Sequence, residues 1–168
     1  VLPAEATQTL AREIVKRLAT RAEGVILDTN EYPSSDELDY FCDALASEDD
    51  TVAAEFVMRL TNTGSSARTI YRHYLAPVAR LLGERWTENA LDFTQVTIAS
   101  GRIYAIMRSM RRGFMPSTYD LSKYAIFAAV PDENHFLGVN LAADLFRMDG
   151  WDVRVHQGLR HEDLVRSI

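Results

Sequence analysis

Tyr124-Ala125-Ile126-Phe127-Ala128-Ala129-Val130, running through Pro131-Asp132-Glu133-Asn134 into His135-Phe136-Leu137-Gly138, is the stretch that decides the fold. Its first seven residues are an apolar run of strand length that ends in a polar turn, the pattern of a buried parallel strand. From His135 to Asp149, the apolar residues Leu137, Leu141, Ala142, Leu145 and Phe146 recur at helical spacing, and Gly150 ends the segment. Trp151-Asp152-Val153-Arg154-Val155 then alternates as a second strand. Strand, helix, strand calls for a crossover connection and a parallel sheet. Residues 121–168 therefore read as the first part of a Rossmann-like module, with His161 to Ile168 opening a further helix. Two strands are too few for a stable doubly wound sheet, so more are expected, from a longer form of this chain or from another chain.

Upstream the pattern is helical, and residues 1–115 read as a helical bundle in which 1–50 form N-terminal extension helices. Ala6, Leu10, Ile14, Val15 and Leu18 recur at three- and four-residue steps, predicting an amphipathic helix over 4–22. Ser34 or Ser35 can cap a second helix to about Ala46, with Glu37 in its first turn. The acidic Ser47-Glu48-Asp49-Asp50 suits the start of a third, which turns Val52, Phe56, Val57 and Leu60 inward and stops at Gly64. Ser65 or Ser66 opens a fourth along Ile70, Tyr71, Tyr74, Leu75, Val78, Leu81 and Leu82, where Pro77 should kink or restart it. A fifth runs from about Asp92 to Arg112, its basic end matching the negative helix pole, with Gly113 as terminator.

The 168 residues carry a net charge of -6, from 18 Lys and Arg against 24 Asp and Glu. That balance argues against nucleic-acid binding by bulk attraction to phosphates, so any influence on DNA is expected to pass through a protein partner. The single cysteine, Cys42, excludes an internal disulfide framework and Cys-rich zinc sites, and fits a reducing compartment. With no apolar run of membrane-spanning length and no signal-peptide plan at Val1-Leu2-Pro3, a cytoplasmic protein away from the membrane is expected.

The chemistry-bearing element is Glu133-Asn134-His135-Phe136-Leu137-Gly138, placed where a parallel strand meets its helix, at the carboxyl edge where open sheets bind ligands. A carboxylate two residues before an imidazole can hold one ring nitrogen and leave the other free for a metal. By spacing alone this also fits a histidine near a helix start beside ordinary loop acids. Trp86 fits a hinge aromatic as well as a ligand cap, and His73 a helix-surface residue as well as a ligand from above. His156 and His161 read as solvated. Gln95 and Thr97 could reach ligand amides or propionates, or face solvent. The Arg108 to Arg112 cluster could meet a partner or a corrin side chain, but complements a helix dipole equally well.

Glu133-x-His135-x-x-Gly138 after an apolar strand resembles the Asp/Glu-x-His-x-x-Gly signature of cobalamin-binding modules in methionine synthase, corrinoid methyltransferase proteins, mutases and cobalamin-dependent regulators. The resemblance implies His135 as the lower axial ligand of cobalt, Glu133 bonded to it, and Gly138 beside the nucleotide tail. Independently, Leu82-Gly83-Glu84-Arg85-Trp86-Thr87-Glu88-Asn89-Ala90-Leu91 resembles the helix end and loop of the bundle that caps cobalamin in these families. Trp86 would then lie over the upper face of the corrin. The resemblance runs from about Thr51 to the C-terminus.

Val96 and Thr97 stand where light-responsive regulators of the repressor type carry a Glu-His pair that faces the upper axial group, so that photochemical device is absent. The family's Ser or Thr after the third strand and later Gly-Gly, which line the tail, have no counterpart in these 168 residues. This combination is similar to the antirepressors of photosynthesis genes in purple bacteria and to a related sensor domain that takes heme. It implies a sensory module that binds cobalamin, or heme as the alternative, and acts on a transcriptional repressor or other regulatory protein without catalysis. A corrinoid carrier for methyl transfer, and an interaction domain with an empty pocket, are the other readings.

Overall fold

In the computed structural model, residues 32–114, 122–129 and 136–167 are described. The helix expected over 4–22 lies outside them. The first described helix, α1 (Ser35–Ala46), begins as its sequence dictates: the Ser34 hydroxyl accepts from the Glu37 N–H at 3.2 Å and Glu37 reaches back to the Ser34 N–H at 3.0 Å. The next, α2 (Thr51–Asn62), starts later than its acidic lead suggests. Asp49 accepts from the Thr51 N–H and hydroxyl ahead of the helix, bonds that hold its carboxyl below the usual range, and no acid enters the first turn.

The long helix α3 consists of Ala67–Thr69, a π-helical stretch Ile70–Leu75, and Ala76–Thr87. Pro77 explains the irregularity. Its ring would press on the carbonyl four residues back and it has no N–H to give, so the chain widens just before it, and the Ala76 N–H bonds Tyr71 O. The helix neither breaks nor restarts.

Helix α4 (Phe93–Phe114) is capped by Asp92, which accepts from the Gln95 N–H at 2.7 Å while Gln95 returns to the Asp92 N–H at 2.9 Å. It continues through Gly113, so that glycine does not terminate it. Left-handed caps sit instead at Gly64, Asn89 and Gly150, where paired 5→2 and 6→1 bonds close α2, α3 and the helix that ends at Met148.

The sheet half comprises β1 (Tyr124–Ala128), α5 (Phe136–Met148), β2 (Asp152–His156) and α6 (His161–Ser167). The two strands are parallel, in register from Tyr124↔Asp152 to Ala128↔His156. Helix α5 covers one face, with Phe146 edge-on to Phe127 at 5.1 Å and tilted against Trp151 at 5.5 Å. Its other side joins the bundle: Leu141 belongs to the same buried cluster as Phe41, Leu45, Phe56, Tyr71, Ile103 and Met107. The two halves thus share one apolar core. No helix among the described residues is long and apolar enough to cross a membrane.

Cys42 sits inside this core, and burial pushes its thiol up from 9.0 to about 11, against a smaller opposing effect of the Arg85 guanidinium. The folded protein therefore holds the proton more tightly than the unfolded chain does. The associated stability is complete below pH 9 and is lost as pH rises through 11, on the order of 2 kcal/mol. Urea midpoints measured from pH 8 to 11 should fall, and Cys42→Ala should flatten that fall. Superimposable pH profiles for the two proteins would show that the thiol is not held protonated by the fold.

Candidate functional site

A cavity of about 600 Å³ lies between α3, α4 and α5, where the bundle meets the sheet half. Its volume is within the range of small-molecule and cofactor sites. Ala76, Ala79, Leu82 and Trp86 supply one wall from α3, Val96, Ser100 and Tyr104 a second from α4, and Phe136, Leu137, Leu141 and Leu145 a third from α5. Arg80 is the charged side chain among the lining residues. Burial pushes the Tyr104 phenol up, which keeps it a neutral hydrogen-bonding group.

Two glycines inside helices face this space, Gly83 on α3 and Gly138 on α5. Glycine in a helix interior costs roughly 0.5–1 kcal/mol against alanine. Among the described residues, neither position has a neighbouring atom within 4 Å of where a Cβ would stand, so their packing does not require glycine. Both keep the cavity walls low.

The last turn of α3 is anchored from outside the cavity. Arg85 pairs with Asp39 and Asp43 of α1 at 2.6 and 2.5 Å, and the cap at Asn89 fixes the turn that carries Trp86. The indole lines the cavity yet stays 44% exposed, at its rim. Three of the residues singled out by the sequence, Trp86, Val96 and Gly138, come together here from three helices. Thr97 does not line the cavity; it is exposed, and its hydroxyl donates to Phe93 O at 2.7 Å. Gln95 spends its carbonyl on the helix cap. His73 meets Tyr32 edge-on at 4.7 Å and is not among the lining residues. Glu133 and His135 lie outside the described residues, in the connection that leads into Phe136.

Two expectations are corrected. His156, at the carboxyl end of β2, is half-buried rather than fully solvated: its Nε2 is buried and has no hydrogen-bond partner among the described residues. A buried ring nitrogen is ordinarily hydrogen-bonded, and this one lies at the carboxyl edge of the parallel strands. Arg111 does more than complement a helix pole, because its Nε bonds Asp144 Oδ2 at 2.7 Å. Asp144 was not singled out from the sequence, although a signal was present: it falls on the apolar stripe Leu137, Leu141, Leu145, Met148, where a charge needs a partner. Likewise Ser100 and Tyr104 follow Val96 at four-residue steps, on one face of α4.

No family model matches the chain. An uncharacterized 20.5 kDa protein in the bchF-crtJ intergenic region of Rhodobacter capsulatus is 28% identical over 85 residues, 49% of this chain and 44% of that protein. The chain thus spans less than half the length of this curated relative. Among solved structures, the monomethylamine corrinoid protein of Methanosarcina barkeri superposes with a TM-score of 0.63 at 13% identity, over 80% of this chain and 64% of that one. The methanol:cobalamin methyltransferase complex MtaBC of the same organism gives 0.47 at 12% identity, over 81% and 53%. In fold, a helical bundle packed on a small parallel-sheet module, the chain is similar to a corrinoid protein.

Proposed function

We propose that this chain is a tetrapyrrole-binding regulatory module whose ligand is cobalamin, and that it passes its ligand state to a transcriptional regulator by protein contact. The observation that carries this reading is the convergence of Trp86, Val96 and Gly138 on one largely apolar cavity whose third wall begins at Phe136, the residue after His135. The residues fit such a group. Gly83 and Gly138 leave room that none of the described residues fills, and among those residues the buried His156 Nε2 has no partner at the adjoining edge.

When bound, cobalamin supplies a cobalt whose axial positions can exchange their occupants. His135 would give the cobalt a neutral ring nitrogen, and the Glu133 carboxylate would accept from the other nitrogen and fix the tautomer. Trp86 would shield the upper face from water, and Arg80 would meet polar groups at the ligand's rim. The fold likeness to a corrinoid protein supports the ligand class. It supports the carrier reading as well, since a methyl carrier would use the same fold.

Visible absorption of the purified protein titrated with hydroxocobalamin and, separately, with hemin tests the proposal. A saturable cobalamin spectrum with the benzimidazole displaced is expected. Saturation by hemin alone would transfer the site to heme, and no spectral change with either would refute the reading.

Trp86→Ala should barely alter folding, because the indole is largely at the rim. It should weaken cobalamin binding about 2- to 12-fold, the value of one aromatic stacking contact, and speed cyanide exchange at the upper cobalt position. Unchanged exchange rates would leave Trp86 as a helix-end residue only.

A further inference from the structure

Asp144 is the buried charged residue of the described core, with no exposed surface. Its carboxylate collects three donors. The Tyr71 hydroxyl, from the π-helical stretch of α3, donates to Oδ2 at 2.9 Å; Arg111 Nε, from α4, reaches the same oxygen at 2.7 Å; and Arg147 Nη1, from α5 itself, bonds Oδ1 at 2.9 Å. Arg147 also donates from Nη2 to Val153 O of β2 at 2.8 Å, which carries the network into the sheet. The cluster thus joins both halves of the molecule through one carboxylate.

A charge removed from water is tolerated only while its partners stay in place, so such a cluster has one satisfied geometry and few cheap alternatives. Burial, and then the neighbouring Asp144 charge, push the Tyr71 phenol far up, so it remains a donor at any ordinary pH. The π-helical widening ahead of Pro77 includes Tyr71, and π-helical turns are frequent at functional sites. On α5, Asp144 lies between Leu141, Ala142 and Leu145, all of which line the cavity, and two turns beyond Gly138. Any change in how Asp144 is held therefore tilts the third wall of the cavity.

We propose that Asp144 is the positioning residue that fixes α5 against α3 and α4, and so sets the gap between bundle and sheet half that a planar tetrapyrrole must enter. The inference deepens the cobalamin reading and rests on it for the ligand. The joint itself does not depend on ligand. Asp144→Asn keeps the shape but replaces one acceptor oxygen by a donor NH₂ facing guanidinium donors. Tyr71→Phe removes a single bond, and Arg111→Gln removes one ion pair at a side chain that is about a third exposed.

In the full chain, under conditions where each variant is folded by circular dichroism, Asp144→Asn should weaken hydroxocobalamin binding at least about 10-fold and Tyr71→Phe about 2- to 5-fold. The bound spectrum should stay that of the parent, because His135 is untouched. Arg111→Gln added to Asp144→Asn should bring little further loss, since both act through one contact. Small-angle scattering without ligand should show a larger radius for Asp144→Asn and Arg111→Gln. Parent-like affinity together with a parent-like scattering profile in these variants would overturn the proposal. Should the parent bind no hydroxocobalamin, the functional reading fails, and the ligand-free scattering still decides the joint. Should Asp144→Asn not fold, Tyr71→Phe and Arg111→Gln decide it.

Discussion

His135→Ala is expected to lose more than about 100-fold in cobalamin affinity while leaving the folded protein intact. The scale follows from residues that merely orient a metal ligand, whose loss already costs roughly 10- to 100-fold; the ligand itself should cost more. A tetrapyrrole brings four in-plane nitrogens with it, so the protein has only an axial donor to contribute. In the stretch from Glu133 to Gly138, His135 is the residue with a neutral nitrogen suited to cobalt. The measurement is a hydroxocobalamin titration by visible absorption. The variant should show weak binding with the benzimidazole still attached below the cobalt. A parent-like spectrum and affinity would remove His135 from the site and, with it, the assignment of cobalamin.

Gly138→Leu should weaken binding on the order of 100-fold by a different route, without unfolding the chain. A Cβ at this position meets no described residue within 4 Å, so the leucine side chain enters open cavity and leaves the core undisturbed. Gly138 is the third residue of α5, so replacing it should raise the stability of the ligand-free protein by somewhat less than the roughly 0.5–1 kcal/mol of a helix interior. In the presence of ligand the same side chain occupies the space the ring needs. Overpacking of about 1–3 kcal/mol corresponds to a loss of roughly 5- to 150-fold, and a whole leucine against a rigid ring belongs at the upper end. Urea denaturation and cobalamin titration on one preparation check both halves. A stabilised variant that binds far more weakly is the expected result. A variant that binds like the parent would place the ligand elsewhere, and a destabilised one would mean that the glycine serves packing after all.

Much of the architecture was legible because it is written in local pattern. The capping box at Ser34 and Glu37, the cap at Asp92, the stop at Gly64 and the spacing of Leu137, Leu141 and Leu145 each depend on residues within one or two turns. The misreadings have equally local causes. Gly113 carries a terminator's identity but an ordinary helical backbone, inside a helix that runs on to Phe114. Asn89 does the stopping for α3 at φ 60, a role its type permits but its sequence surroundings do not announce. Pro77 was recognised as a disturbance, but whether a proline kinks, breaks or widens a helix is settled by what packs around it.

Sequence by itself determined that a helical bundle precedes a strand, helix, strand unit with a histidine motif at the carboxyl edge of its first strand. It also singled out Trp86, Val96 and Gly138. Only the tertiary structure decided that these three share a cavity while Thr97 stays outside it, that His156 Nε2 is buried without a partner among the described residues, and that Asp144 joins the halves. The reason is range. Periodicity and capping are set by neighbours along the helix, whereas Tyr71 and Asp144 are 73 positions apart and meet only through the docking angles of α3 and α5. A carboxylate on an apolar stripe shows that some partner must exist; its identity depends on which helices pack there, and local spacing carries no information about that.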